Sequence, residues 1–174
     1  MQLEHGVSFV LAAAMPIGAL IAASCDAISY TIPNWLTAGI AMLFIPAAFA
    51  AGLPASEILL ALGCGAAVLA AGFVLFALGW FGGGDAKLAA ALACWLGWQQ
   101  LPMFLLVTSV LGGLMALLIL LFRAFPARGW LREGGPLWRL HDKKQGVPYG
   151  VALGTAALWA YAQAPVLRAV MALT

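Results

Sequence analysis

Two aspartates are the residues of this chain best suited to chemistry. Asp26 stands in Asp26-Ala27-Ile28-Ser29-Tyr30-Thr31-Ile32-Pro33-Asn34-Trp35-Leu36-Thr37, and Asp85 in Gly82-Gly83-Gly84-Asp85-Ala86-Lys87-Leu88. Charged residues make up only 8% of the 174-residue chain. An ionisable group placed in hydrocarbon costs about 2.5–3.5 kcal/mol on insertion scales, so acids in apolar surroundings need a partner or a function. A carboxyl pair can hydrolyse a peptide bond. One carboxylate takes a proton from water, while the other, protonated, gives one to the carbonyl oxygen and then to the leaving amine. Close carboxyls reach that state by sharing one proton, because both cannot ionise cheaply.

Other chemistries lack their residues. His5 lies near the N-terminus and His141 beside Asp142, with no second histidine at metal-ligand spacing. No Gly-x-Ser-x-Gly or Ser/His arrangement supports a nucleophile. Cys25, Cys64 and Cys94 are scattered, without a Cys-x-x-Cys pair. They read as small packing residues rather than a zinc site or a disulfide framework.

The elements that must hold the aspartates are membrane helices. The chain is 65% hydrophobic with mean hydropathy +1.05, whereas soluble domains run at roughly 45–50% apolar. The expected fold is all-α: a polytopic integral membrane protein of about six transmembrane helices in one membrane-embedded domain. The apolar runs cover 7–25, 33–52, 57–80, 86–98, 102–122 and 148–170, with a break at Gln99-Gln100-Leu101-Pro102. The fourth run is short, about 20 Å against a hydrocarbon core of about 30 Å. Glu4 and His5 precede the first run without Lys or Arg, so that run reads as a retained helix rather than a signal peptide.

Orientation follows from charge. Of eight Lys and Arg, six lie in the loop 123–147: Arg123, Arg128, Arg132, Arg139, Lys143 and Lys144. Positive loops stay in the cytoplasm. Counting runs from there puts Asp26 and Asp85 on one cytoplasmic face, with Arg168 as the exception to the rule. Trp130, Leu131, Leu137, Trp138 and Leu140 alternate with the loop's cations, as suits a segment lying on an anionic leaflet. That accounts for the charge without nucleic acid.

The surrounding residues have readable roles. Gly82 and Gly84 permit positive φ and close approach of a substrate strand. Pro33 suits the first turn of a helix, and Asn34 is placed to cap it or to bond the Asp26 loop. Lys87 points away from Asp85 on a helix and snorkels to the interface. Pro148, Tyr149 and Gly150 set the start and close packing of the last helix. Gly63-x-Gly65 and Gly112-Gly113 offer small surfaces where a substrate helix could dock.

These segments together resemble the type IV prepilin peptidases, membrane aspartic proteases whose second catalytic acid lies in Gly-x-Gly-Asp. Gly82, Gly84 and Asp85 carry that motif, followed by Lys87. Asp26 with Ile32-Pro33-Asn34-x-Leu36-Thr37 is similar to the first catalytic segment, and Pro148-Tyr149-Gly150 to a third signature. The larger bacterial members carry a cytoplasmic insertion with paired Cys-x-x-Cys motifs, linked to methylation, which this chain lacks. It resembles the short form associated with Tad/Flp-type pili, and the archaeal preflagellin peptidases are a near neighbour. The resemblance implies catalytic Asp26 and Asp85, water as nucleophile, no metal and no organic cofactor. It implies a prepilin-like substrate with a basic leader and an apolar helix, cut after a glycine at the cytoplasmic face of the inner membrane. A small transporter or an inactive pilus-assembly scaffold is the alternative. Helix ends suggest a division of labour. A helix C-terminus disfavours negative charge and an N-terminus favours it, which makes Asp26 the acid and Asp85 the base.

Overall fold

The computed structural model describes residues 2–125, 136–142 and 146–172, all of them in helices and their connections. Helices α1 (Gln2–Ala12) and α2 (Ala14–Ser29) follow one another across Ala13. They are succeeded by α3 (Asn34–Ala50), α4 (Ala55–Ala77), α5 (Gly83–Ala124), α6 (Pro136–His141), α7 (Tyr149–Tyr161) and α8 (Pro165–Ala172). Four stretches are long and apolar enough to cross a bilayer, Gly6–Ser29, Ala55–Ala77, Gly83–Ala124 and Tyr149–Ala172, and α3 adds a shorter apolar helix. Large apolar side chains point outward along them, among them Leu59, Phe73, Met42 and Leu120. That is the surface lipid covers. The protein is a polytopic integral membrane protein, as its hydropathy predicts.

The 42 residues of α5 do not form one rod. Gly97 takes φ 66°, ψ 175°, outside helical space. A straight helix would hold Asp85 and Thr108 about 35 Å apart, yet both line one cavity. The helix therefore doubles back at Gly97, and its two arms, 83–96 and 98–124, are the fourth and fifth apolar runs. The reversal comes two residues before the predicted break at Gln99. Glycine is the residue that tolerates this backbone, whereas Gln99, Gln100 and Pro102 continue the second arm.

The first arm is the centre of the molecule. Every residue from Leu88 through Gly97 is buried. Its alanines let α4 approach closely, with Gly72 facing Ala86 and Gly65 facing Cys94 and Ala90. Trp95 closes the core near the turn. It is fully buried, and its Nε1–H donates to the Ile40 carbonyl at 2.8 Å. Phe44 and Tyr161 meet it edge-on at 5.8 and 6.3 Å between ring centroids. The Tyr161 hydroxyl in turn donates to the Ala12 carbonyl at 2.7 Å, tying α7 to α1. At the other end of the bundle, Arg123 donates from Nε to the Leu140 carbonyl at 2.7 Å and from Nη2 to Gly146 at 3.3 Å. One cation thus draws the two ends of the basic segment together. The side chains of Arg128, Trp130, Leu131, Arg132, Leu137, Arg139, Lys143 and Lys144 lie outside the described residues.

Candidate active site

Asp26 occupies the last turn of α2. The helix stops because Tyr30 turns left-handed at φ 55°, its N–H still reaching the Asp26 carbonyl at 2.9 Å. Ile32 then precedes a proline and leaves helical space. Pro33 is the residue just before α3, at φ −61°, ψ 133°, rather than inside its first turn. This short connection folds back under Asp26.

The acceptor side of Asp26 meets a helix start. Pro148 opens α7, and the first N–H groups of a helix have no partner within it. Gly150 donates its N–H to Asp26 Oδ2 at 2.6 Å. Only glycine fits there. A Cβ on residue 150 would lie 2.9 Å from Asp26 Cβ, Asp26 Oδ2 and Ile32 Cδ1. Asp26 itself is only 5% exposed.

Asp85 stands in the first turn of α5, half-buried. The Gly82–Gly84 segment differs from expectation. Gly82 is extended at φ −73°, ψ 140°, Gly83 and Gly84 are already helical, and the positive φ falls at Gly79, at +75°. Proximity marks them unequally, tightest at Gly82 and no closer than ordinary contact at Gly84. A Cβ on Gly82 would sit 2.6 Å from Asp85 Oδ2, one on Gly83 3.3 Å from the Phe76 ring, and one on Gly84 3.4 Å from Ile32 Cβ.

Ile32 is the hinge pin of the site, because it packs against both Gly84 and Gly150. It thereby brings the Asp26 connection, the start of α5 and the start of α7 to one end of the bundle. Lys87 points away from Asp85, and its Nζ donates to Asn34 Oδ1 at 2.9 Å. The first and second motifs are thus joined by a second contact. Asn34 bonds this lysine in place of the cap or loop role read from the sequence.

A cavity of about 870 Å³ opens beside Asp85. Its walls are α4 (Val68, Leu75), both arms of α5 (Asp85, Ala89, Leu105, Thr108) and α7 (Tyr149, Leu153). Tyr149 stacks edge-on with Phe81 at 5.8 Å and fits against Gly112, where a Cβ would strike its ring. Gly112 and Gly65 thus serve internal packing rather than the open docking surface expected of them, while Gly63 and Gly113 meet nothing within 4 Å. The sequence marks Ile32 only as part of the Asp26 segment and Gly112 only as a docking surface, and it does not single out Thr108. Thr108 had a signal, since Thr108 and Ser109 are the only polar side chains in the apolar run 102–122.

Comparison with known proteins finds relatives over part of the chain. A stretch of this chain is 52% identical over 42 residues to a prepilin leader peptidase/N-methyltransferase of Aeromonas hydrophila, covering 24% of this chain and 14% of that protein. Over 39 residues the chain is 49% identical to the prepilin leader peptidase/N-methyltransferase of Legionella pneumophila, covering 22% of this chain and 14% of that one. The matches thus span about a seventh of those relatives' length. No solved structure matches the chain. The pattern of the type IV leader peptidase family runs through residues 13–117, both aspartates included, and the chain belongs to that family.

Proposed function

We propose that this chain is an aspartic endopeptidase that removes the leader of a prepilin-like protein, with Asp26 and Asp85 as its catalytic pair. The observation that carries the reading is the meeting of three distant segments at one point. The Gly150 N–H fixes Asp26, and Ile32 packs that junction against Gly84 beside Asp85. In this reading Asp85, open to the cavity, accepts a proton from water as the oxygen attacks the scissile carbonyl carbon. Asp26 donates its proton to the carbonyl oxygen. The tetrahedral intermediate collapses as the peptide C–N bond breaks, the amine taking the proton held by Asp85 and a hydroxyl of the intermediate returning one to Asp26. Gly150 fixes one oxygen of Asp26, leaving the other for the proton that the pair shares. Pro33, Asn34, Gly82, Gly84, Lys87, Pro148 and Tyr149 hold the frame.

The substrate of this reading has a basic leader and an apolar helix and is cut at the cytoplasmic face of the inner membrane. The basic segment 123–147 favours that orientation by the positive-inside rule. The absence of Cys-x-x-Cys pairs favours leader removal without methylation, as in the short Tad/Flp-type enzymes. Co-expression with candidate prepilins from neighbouring genes tests the reading. Leader-shortened pilin should appear with the wild-type chain and vanish with D26N and with D85N. Full processing by either variant overturns the pair.

A further inference from the structure

We propose that Thr108 is a substrate-binding residue, its hydroxyl hydrogen-bonding a backbone group of the peptide that enters the Asp85 cavity. The proposal rests on the endopeptidase reading and adds to it the wall opposite the acid.

Thr108 lies on the second arm of α5 and faces Asp85 across the reversal at Gly97, both lining the 870 Å³ cavity. It is 5% exposed, and its Oγ1 has no hydrogen-bond partner among the described residues. Hydroxyls in this protein's helices ordinarily return to the carbonyl four residues back. Ser24 bonds Leu20, Ser29 bonds Cys25, Ser109 bonds Leu105 and Thr155 bonds Val151, at 2.6 to 2.8 Å. Thr108 does not take this option. A buried polar atom without a partner is disfavoured, so a ligand that supplies the partner gains at this point.

The cavity tells which ligand. Val68, Leu75, Leu105 and Leu153 make much of its wall apolar. A peptide reaches a carboxyl pair only when its backbone is extended, and the N–H and C=O groups freed from a helix at membrane depth must be satisfied by protein. A threonine hydroxyl both donates and accepts, so it serves either group. Ser109, its neighbour, is already bonded to Leu105.

The test uses the whole chain in lipid nanodiscs and a synthetic prepilin fragment with a basic leader, a glycine before the cut and an apolar helix. T108V removes the hydroxyl and keeps the shape; T108S keeps the hydroxyl. Loss of one neutral hydrogen bond predicts a fall of about fivefold in kcat/KM for T108V, expressed as a higher KM. T108S should recover most of that loss, and thermal unfolding of T108V should come no earlier than that of the wild type. Equal activity of T108V and wild type overturns the proposal. So does a T108S variant as impaired as T108V, which would assign the role to the methyl group, or a T108V loss that tracks lower thermal stability. If the wild-type chain releases no leader, the endopeptidase reading falls and this proposal with it. If the wild type cuts and T108V cuts as well, only the role of Thr108 falls.

Discussion

The two arms of α5 have the same apolar character and opposite surroundings. On the first arm, every residue from Leu88 to Gly97 is buried. On the second, the buried positions are Phe104, Thr108, Gly112 and Ile119, a single stripe at helical spacing. Leu106, Val110, Leu114, Leu117 and Leu121 of that arm point outward to lipid. Apolarity alone does not show which arm is buried, because lipid and protein interior are both apolar solvents for leucine. Residue size does. The first arm is built on alanine, which lets neighbouring helices close in around it, and the second on leucine, which fills lipid-facing surface. The arm that carries Asp85 is thus locked on all sides, while the arm across the cavity is held along one stripe.

That contrast breaks first at the aspartates. D85N and D26N should each lower leader cleavage by at least about 100-fold, measured by release of the leader from a prepilin fragment, since a positioned proton carrier contributes roughly that much or more. Both variants should stay folded, because the rest of the packing is untouched. At the other end of the same arm the effect turns from activity to stability. W95A leaves a cavity between Phe44 and Tyr161 and strands the Ile40 carbonyl, at a cost of about 3–5 kcal/mol in the fold, visible as early thermal unfolding in detergent.

The junction between the arm and α7 is tested by G150A. The added methyl meets Asp26 and Ile32 at 2.9 Å, so Asp26 must leave the Gly150 N–H. Cleavage should fall about tenfold or more while helical content holds, as expected when a catalytic group is misplaced by a fraction of an ångström to an ångström. K87M, which removes the bond to exposed Asn34, should alter cleavage by no more than about fivefold, as exposed polar pairs contribute little. The smallest effect belongs to the lipid face of the second arm. L117A should shift neither cleavage nor unfolding beyond about 0.5 kcal/mol. A large effect there would mean that this surface meets protein rather than lipid.

Much of the site was legible because its motifs are local. The Gly-x-Gly-Asp turn, the Asp26 segment and Pro148-Tyr149-Gly150 are short strings whose residue types state their backbone needs. Charge placement put both acids at one end of the bundle, and the structure joins their segments at Ile32. The errors were of another kind. The glycines of 82–84 were read for positive φ, which falls instead at Gly79 and Gly97. What crowds Gly82 and Gly83 is the Asp85 carboxyl and the Phe76 ring, contacts that local spacing does not reveal. The sequence places the turn between the arms at Gln99–Pro102, since polarity and proline mark a break in any apolar run, yet the reversal falls at Gly97 and Pro102 lies inside the second arm.

By itself the sequence determined a helical membrane protein, its number of apolar runs, and two acids with their flanking grammar. Those are properties of composition and near-neighbour spacing, set by the cost of bringing charge and unpaired backbone into lipid. Only the tertiary structure decided that Gly150 gives its N–H to Asp26, that Lys87 reaches Asn34, and that Thr108 faces Asp85 across a cavity. Each of these joins residues 23 to 124 positions apart, and such pairings come from how the helices pack, which no local pattern encodes.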